Sequence, residues 1–239
     1  MNFAALRQQV THGDAPDIPT VFVVEPDPSI RAALEDAVRL AGWLPIGAGC
    51  AEEFLGRPRV IAPGCLLVEQ DLPGMSGLEL QASVAARQEL PVIVLSARAD
   101  IRATVASMKA GAFEFLTKPL QEDVLLHSIR SAIEHSLAKV DHAARIHRLH
   151  QRYEELSRRE REVLRLIAAG RLNKQVGFDL GISEITVKAH RGSMMRKMRA
   201  GSLAELVGMV ADLPGEAGCR SEWLSMCVTP LTQARAACA

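Results

Sequence analysis

The sequence predicts an α/β domain built on a doubly wound, five-stranded parallel sheet, then a long helix, then an all-α domain of four short helices. Three observations predict it. Short β-rich runs alternate with helical patterns from Thr20 to about Pro119. No Gly or Pro interrupts the chain between Pro119 and Gly170. Beyond Ser157, serine caps and glycine turns recur at helical spacing. The 239 residues, 48% apolar and 23% charged, suit one large or two small domains and exclude a disordered chain.

In order, the strand candidates are Val21–Val24, Leu44–Gly47, Cys65–Glu69, Val92–Leu95 and Phe113–Thr117. The third and fourth are nearly continuous apolar runs, as parallel strands covered on both faces require. Between the strands lie helical stretches at Ser29–Leu40, Ala51–Leu55, Ser76–Gln88 and Ile101–Ala110, with Ser76 and Asp100 placed as N-caps. Five β–α repeats place a ligand site at the C-terminal ends of the strands.

The uninterrupted segment predicts a long helix that breaks at Ser157, where Ser157-Arg158-Arg159-Glu160 reads as a capping box. Its apolar stripe of Leu126, Ile129, Ile133, Leu137, Val140 and Ala144 holds one face at 100° per residue. Ile146, Leu149, Tyr153 and Leu156 take roughly the opposite face. One helix would thus serve two neighbours: the α/β side or a dimer mate first, the C-terminal module second. A core helix with no dimer role fits the same pattern. The four short helices are Ser157–Ala169, Asn173–Leu180, Ser183–Met198 and Ser202–Ala211. Gly181-Ile182-Ser183 supplies a tight turn and a serine cap, the grammar of a helix-turn-helix.

Lys and Arg balance Asp and Glu at 28 each, but unevenly. Residues 1–149 hold 14 basic and 18 acidic side chains, whereas residues 150–212 hold 12 and 8. A basic segment behind an acidic one points to a nucleic-acid-binding module joined to another domain. Five cysteines, an odd number with no C-x-x-C pair, make a disulfide framework or zinc ribbon a poor reading. Cys65 reads as a small buried hydrophobe. The longest apolar runs fall short of the ~20 residues of a membrane helix, and Met1–Val10 lacks a secretory apolar stretch. A cytoplasmic chain with no membrane partner is expected.

Motifs then carry a resemblance. They are Val23-Val24-Glu25-Pro26-Asp27; Glu69 with Leu72-Pro73-Gly74-Met75-Ser76-Gly77; Val94-Leu95-Ser96-Ala97; and Phe115-Leu116-Thr117-Lys118-Pro119. The second half adds Leu156-Ser157-Arg158-Arg159-Glu160-Arg161-Glu162-Val163-Leu164 and Thr186-Val187-Lys188-Ala189-His190-Arg191. In that order, residues 20–212 resemble a two-component response regulator of the FixJ/NarL class. The resemblance implies a flavodoxin-like receiver and a LuxR-type helix-turn-helix domain. The division expected is an N-terminal extension (1–19), a receiver (20–135), a helical linker (136–156), a DNA-binding domain (157–212) and a tail (213–239), where Trp223 could dock.

In such receivers a strand-end aspartate accepts a phosphoryl group, two acidic residues hold Mg²⁺, and a hydroxyl and a lysine bind the phosphoryl oxygens. Ser96 and Lys118 match the hydroxyl and lysine positions, Phe115 the switch aromatic, and Pro119 a proline usually preceded by a cis peptide. The acidic site departs. Glu69 stands at the acceptor position, one methylene longer than aspartate. The acidic pair falls on Glu25 and Pro26, so one metal-ligand position has no carboxylate. Asp27 follows, but neighbouring strand side chains point to opposite faces. No metal or other cofactor is therefore expected, Mg²⁺ binding being doubtful. Three readings stay open: Glu69 projects toward Lys118 and imitates a phosphorylated aspartate; the pocket is vestigial, with a structural Glu69–Lys118 pair; or Glu69 or Asp71 is still phosphorylated.

For the second half the resemblance implies that Ser183–Met198 enters the major groove. Lys188 and Arg191 can donate to guanine or phosphate and Val187 can touch a thymine methyl. Thr186, His190, Lys197, Asn173 and Lys174 match positions that fix the backbone. Leu172 replaces a small polar cap, worth about 1 kcal/mol, unless Asn173 substitutes. Five of the seven histidines (His127, His135, His142, His147, His150) fall on the connecting helix and read as a solvated face. The expected protein is a transcription regulator, not an enzyme, that binds a roughly palindromic operator on double-stranded DNA as a homodimer. A sensor histidine kinase or another regulator is a possible partner. Conventional phosphorylation, or titration of a partner regulator, are the alternatives.

Overall fold

The computed structural model describes residues 18–213 except 60, 61 and 99. Most of the expected N-terminal extension, the tail with Trp223, and Cys219, Cys227 and Cys238 lie outside the described residues. The chain divides into two compact units between His142 and Ala143, inside the segment read as a linker.

In the first unit, strands β1 (Thr20–Val24), β2 (Leu44–Ala48), β3 (Gly64–Glu69), β4 (Val92–Ser96) and β5 (Glu114–Thr117) form one parallel sheet in the order β2-β1-β3-β4-β5. Helices α1 (Pro28–Leu40), α2 (Ala51–Leu55), α3 (Gly77–Val84) and α4 (Ile101–Lys109) connect them. The sheet is sandwiched because side chains alternate across it. Cys65 and Leu67 join Leu34, Val38 and Ile129 in one core, whereas Leu66 and Val68 join Phe54, Leu80 and Val84 in the other. Every residue of β3 is buried, which contributes roughly 1.5–3 kcal/mol for each large apolar side chain. Burial pushes the Cys65 thiol pKa up, so it behaves as the small hydrophobe expected. Gly64 is required sterically, since a Cβ there would lie 1.9 Å from the Thr20 carbonyl oxygen.

Caps fix the helix starts. Ser76 and Glu79 form a capping box, and the Asp100 carboxylate accepts from the Arg102 N–H. Helix α3 stops at Val84, short of Gln88, because turns over residues 85–90 lead the chain into Pro91 and β4.

Helix α5 runs over Glu122–Glu154. Within the first unit its buried face is Leu125, Ser128, Ile129, Ala132, Ile133 and Ser136. This corrects the expected stripe: Leu137 is exposed and Leu126 only half-buried. Two serines take the place of apolar residues because the backbone offers them partners. The Ser136 hydroxyl accepts from the Gly64 N–H at 3.0 Å and donates to the Glu89 carbonyl at 2.5 Å.

In the second unit, α6 (Arg158–Ala168), α7 (Asn173–Leu180), α8 (Glu184–Met198) and α9 (Leu203–Ala211) follow. Leu149 and Tyr153 of α5 join Leu156, Val163, Leu164, Val176, Val187, Met194, Met198 and Leu206 in its core. Ser157, Ser183 and Ser202 each cap a helix through its third backbone N–H. Gly181 turns the chain between α7 and α8 at φ +65°, a conformation that favours glycine.

Candidate functional site

Two sites are built, one in each unit. In the first, the strand order reverses direction between β1 and β3, which brings their C-terminal ends together. Val24 pairs with Val68, so Glu25 and Glu69 emerge side by side into a buried crevice. Lys118, just past β5, reaches between them. Its Nζ lies 2.7 Å from Glu25 Oε2 and 2.5 Å from Glu69 Oε2. Both carboxylates are almost wholly buried, at 2% and 5% exposure. The second contact is a close charge pair rather than a hydrogen bond, and leaves Glu69 Oε2 with no aligned donor. Glu25 Oε1 accepts from the Asp27 N–H at 3.2 Å and Glu69 Oε1 from the Asp71 N–H at 3.3 Å. Burial alone would lower the Lys118 pKa, but the two carboxylates hold it above the ordinary lysine value.

The side chains of the other expected pocket residues are not bonded to this cluster. Asp27 is a correction. Its carboxylate caps α1, accepting from the N–H groups of Ser29 and Ile30 at 2.8 and 3.2 Å. The Ser96 hydroxyl is buried, accepts from the Arg98 N–H and donates to the Arg98 carbonyl, both at 3.1 Å. Phe115 is half-buried against the α2–α3 core. The Lys118–Pro119 peptide is cis.

These residues do not fit the Mg²⁺ implied by the resemblance. Octahedral Mg²⁺ needs well-placed oxygen ligands. Pro26 offers no side-chain oxygen, Asp27 is committed to a helix end, and both glutamates face the ammonium of Lys118. Among the described residues, no group of three or more His, Cys, Asp or Glu side chains could hold a metal.

In the second unit, α8 is the second helix of the helix-turn-helix. Val187, Met194 and Met198 line its buried face. That placement corrects the expectation for Val187: at 0% exposure it fills the core and cannot meet a thymine. Lys197 is committed inward too, at 2.7 Å from the buried Glu160 carboxylate and 3.1 Å from the Glu155 carbonyl. Burial would raise the Glu160 pKa, but hydrogen bonds from Lys197, Ser193 and Ser157 lower it to about 2.

Arg191 is half-buried and donates to Asn173 Oδ1 at 2.7 Å. This bond ties α8 to the start of α7. Asn173 therefore does not replace the missing cap, and the Gln175 side chain accepts from the Leu172 N–H instead, at 2.9 Å. Thr186 shares a hydroxyl contact with Ser183 at 2.8 Å, and His190 is half-buried. Lys174 and Lys188 are exposed, the latter paired with Glu184 at 3.0 Å.

The free face of α8 holds residues that the motif comparison passed over. Ile185, Ala189, Gly192 and Arg196 are all exposed. At 100° per residue they lie within about 60° of one another, opposite the core face. That arithmetic needs only the sequence and would have found them.

Residues 21–130 match the family described as "Response regulator receiver domain", and residues 154–210 that described as "Bacterial regulatory proteins, luxR family". Nodulation protein W of Bradyrhizobium diazoefficiens is 39% identical over 208 residues, covering 87% of this chain and 92% of its own. Transcriptional regulatory protein FixJ of Rhizobium meliloti is 35% identical over 191 residues, covering 80% and 94%. The solved structure of the response regulator StyR is 41% identical, with a TM-score of 0.73 over 81% of this chain and 98% of that one. Among the described residues no helix is long and apolar enough to cross a membrane. The chain belongs to the response regulators that join a receiver to a LuxR-type DNA-binding domain, a family of transcriptional regulators rather than enzymes.

Proposed function

We propose that this response regulator binds a roughly palindromic operator as a homodimer and acts without phosphorylation of its receiver. The observation that carries the reading is the half-buried Lys118 ammonium held between the buried Glu25 and Glu69 carboxylates. In receivers that lysine meets the oxygens of a phosphorylated aspartate. Here its counter-charge is supplied by the chain itself, at the acceptor position, and the metal-ligand position is Pro26. A glutamate carboxylate is also a poor substitute for aspartate as acceptor when neither it nor a neighbour can hold the cation that offsets phosphate charge. Control then rests on a partner regulator, on dimer exchange or on protein concentration.

The test is intact mass after incubation with acetyl phosphate and Mg²⁺. No added phosphoryl group is expected on the wild-type chain or on Glu69→Asp, because Pro26 still withholds a ligand. Pro26→Asp combined with Glu69→Asp is expected to gain it. Modification of the wild type at Glu69 or Asp71 would return the protein to kinase-driven signalling and overturn the reading. DNA binding that falls steeply with salt yet discriminates between sequences supports a transcription regulator; purely non-specific binding would favour titration of a partner.

A further inference from the structure

We propose that Ile185 is a specificity-determining residue that reads the 5-methyl group of thymine in the major groove; the proposal rests on the DNA-binding reading of α8. Ile185 stands in the first turn of α8. In a helix-turn-helix, the N-terminal residues of the second helix meet the base edges. The side chain is 80% exposed and contributes nothing to the core. As a β-branched residue it is also a weaker helix former than alanine. Neither packing nor helix propensity accounts for it.

Its surroundings point to the ligand. Of the polar side chains expected to read bases, Arg191 is held by Asn173 at 2.7 Å, while Lys188 makes only an exposed pair with Glu184 at 3.0 Å. One and two turns further along the same face stand Ala189 and Gly192. A Cβ on Gly192 would meet no atom within 4 Å, so the fold does not demand glycine there, although glycine inside a helix is destabilising relative to alanine. From Ile185 to Gly192 the face is thus low and apolar around one projecting isoleucine, with the exposed Arg196 one turn beyond. Thymine alone presents a methyl group in the major groove. An aliphatic side chain distinguishes it from the other bases without a hydrogen bond.

The probes are duplexes that the full chain selects from a randomised pool, with each thymine replaced in turn by deoxyuridine, which removes only the methyl group. For the wild type, one replacement in either half-site is expected to weaken binding about four-fold, the equivalent of about 0.8 kcal/mol per methyl. Ile185→Ala changes both half-sites, so it is expected to lose about sixteen-fold on the unmodified duplex, as the wild type does on the duplex replaced in both half-sites, and nothing further on that doubly replaced duplex. Its salt dependence should not change, since no charge is removed. Ile185→Val should retain most of the thymine preference. Selected sites whose affinity ignores every deoxyuridine replacement would overturn the proposal alone. So would independent, multiplying losses for Ile185→Ala and deoxyuridine. A pool from which no sequence is enriched would overturn both this proposal and the reading beneath it.

Discussion

Each unit buries a glutamate against a lysine, and the two settings differ in how completely the charges are met. In the DNA-binding unit, Glu160 receives Lys197 at 2.7 Å, and its Oε2 also accepts from the Ser157 N–H at 2.7 Å. One carboxylate faces one ammonium and several aligned donors. In the receiver, a single ammonium faces two buried carboxylates, and Glu69 Oε2 has no aligned hydrogen bond. The first arrangement is a clamp that closes a capping box onto α8. The second is a crowded anionic crevice held by one cation. The same pair of residue types therefore stabilises a fold in one place and sets the state of a site in the other. The deciding quantity is the ratio of donors to carboxylates.

The sharpest way to break that contrast is Lys118→Met, which keeps volume and removes the charge. Two buried carboxylates are then left unpaired, a change that costs roughly 3–5 kcal/mol. The loss is expected in urea unfolding of the receiver at pH 8. A loss under about 1 kcal/mol at pH 8 would show that the crevice tolerates its carboxylates unaided.

Glu160→Gln probes the clamp. The Glu160 pKa is lowered from 4.5 to about 2. Its contribution is therefore present above the unfolded-state value and lost as pH falls through the folded-state value. Destabilisation of roughly 2–3 kcal/mol is expected at pH 7, and wild type and variant should draw together progressively as pH falls from about 4.5 to about 2. A difference that persists unchanged at pH 3 would assign the effect to packing.

Smaller effects fall on the outer face of α8. Gly192→Ala should raise the stability of the DNA-binding unit by about 0.5–1 kcal/mol, read as an upward shift in thermal midpoint, while weakening DNA binding. Unchanged binding would show that the backbone there does not approach the duplex. Lys188→Ala removes only an exposed pair with Glu184, and its stability cost should stay below about 0.5 kcal/mol in chemical denaturation.

Much of the fold was legible because burial leaves periodic traces. The five strands and the four terminal helices differ from expectation mainly at their ends, since alternation, apolar runs and serine caps are local signals. The face of α5 was misread for a non-local reason: Ser128 and Ser136 are polar by composition, and only the Gly64 N–H and Glu89 carbonyl make a buried Ser136 affordable. The crevice was partly legible. Glu69 opposite Lys118 followed from motif spacing, but equal engagement of Glu25 depends on the β1–β3 register. On α8, motif matching placed Val187 at the DNA because it reports residue order and not which face the core takes.

Helix α5 also bears on how such modules can be exchanged. Leu149, Tyr153 and Leu156 belong to the core of the DNA-binding unit, yet all three lie upstream of Ser157, which caps the first of its four short helices. A chimaera spliced at Ser157 would inherit the recognition helix but leave three core side chains, Leu149, Tyr153 and Leu156, behind with the donor. A junction near Ala143 keeps them. Swapping within this family therefore has a natural seam inside a helix, not in the turn that precedes the first short helix.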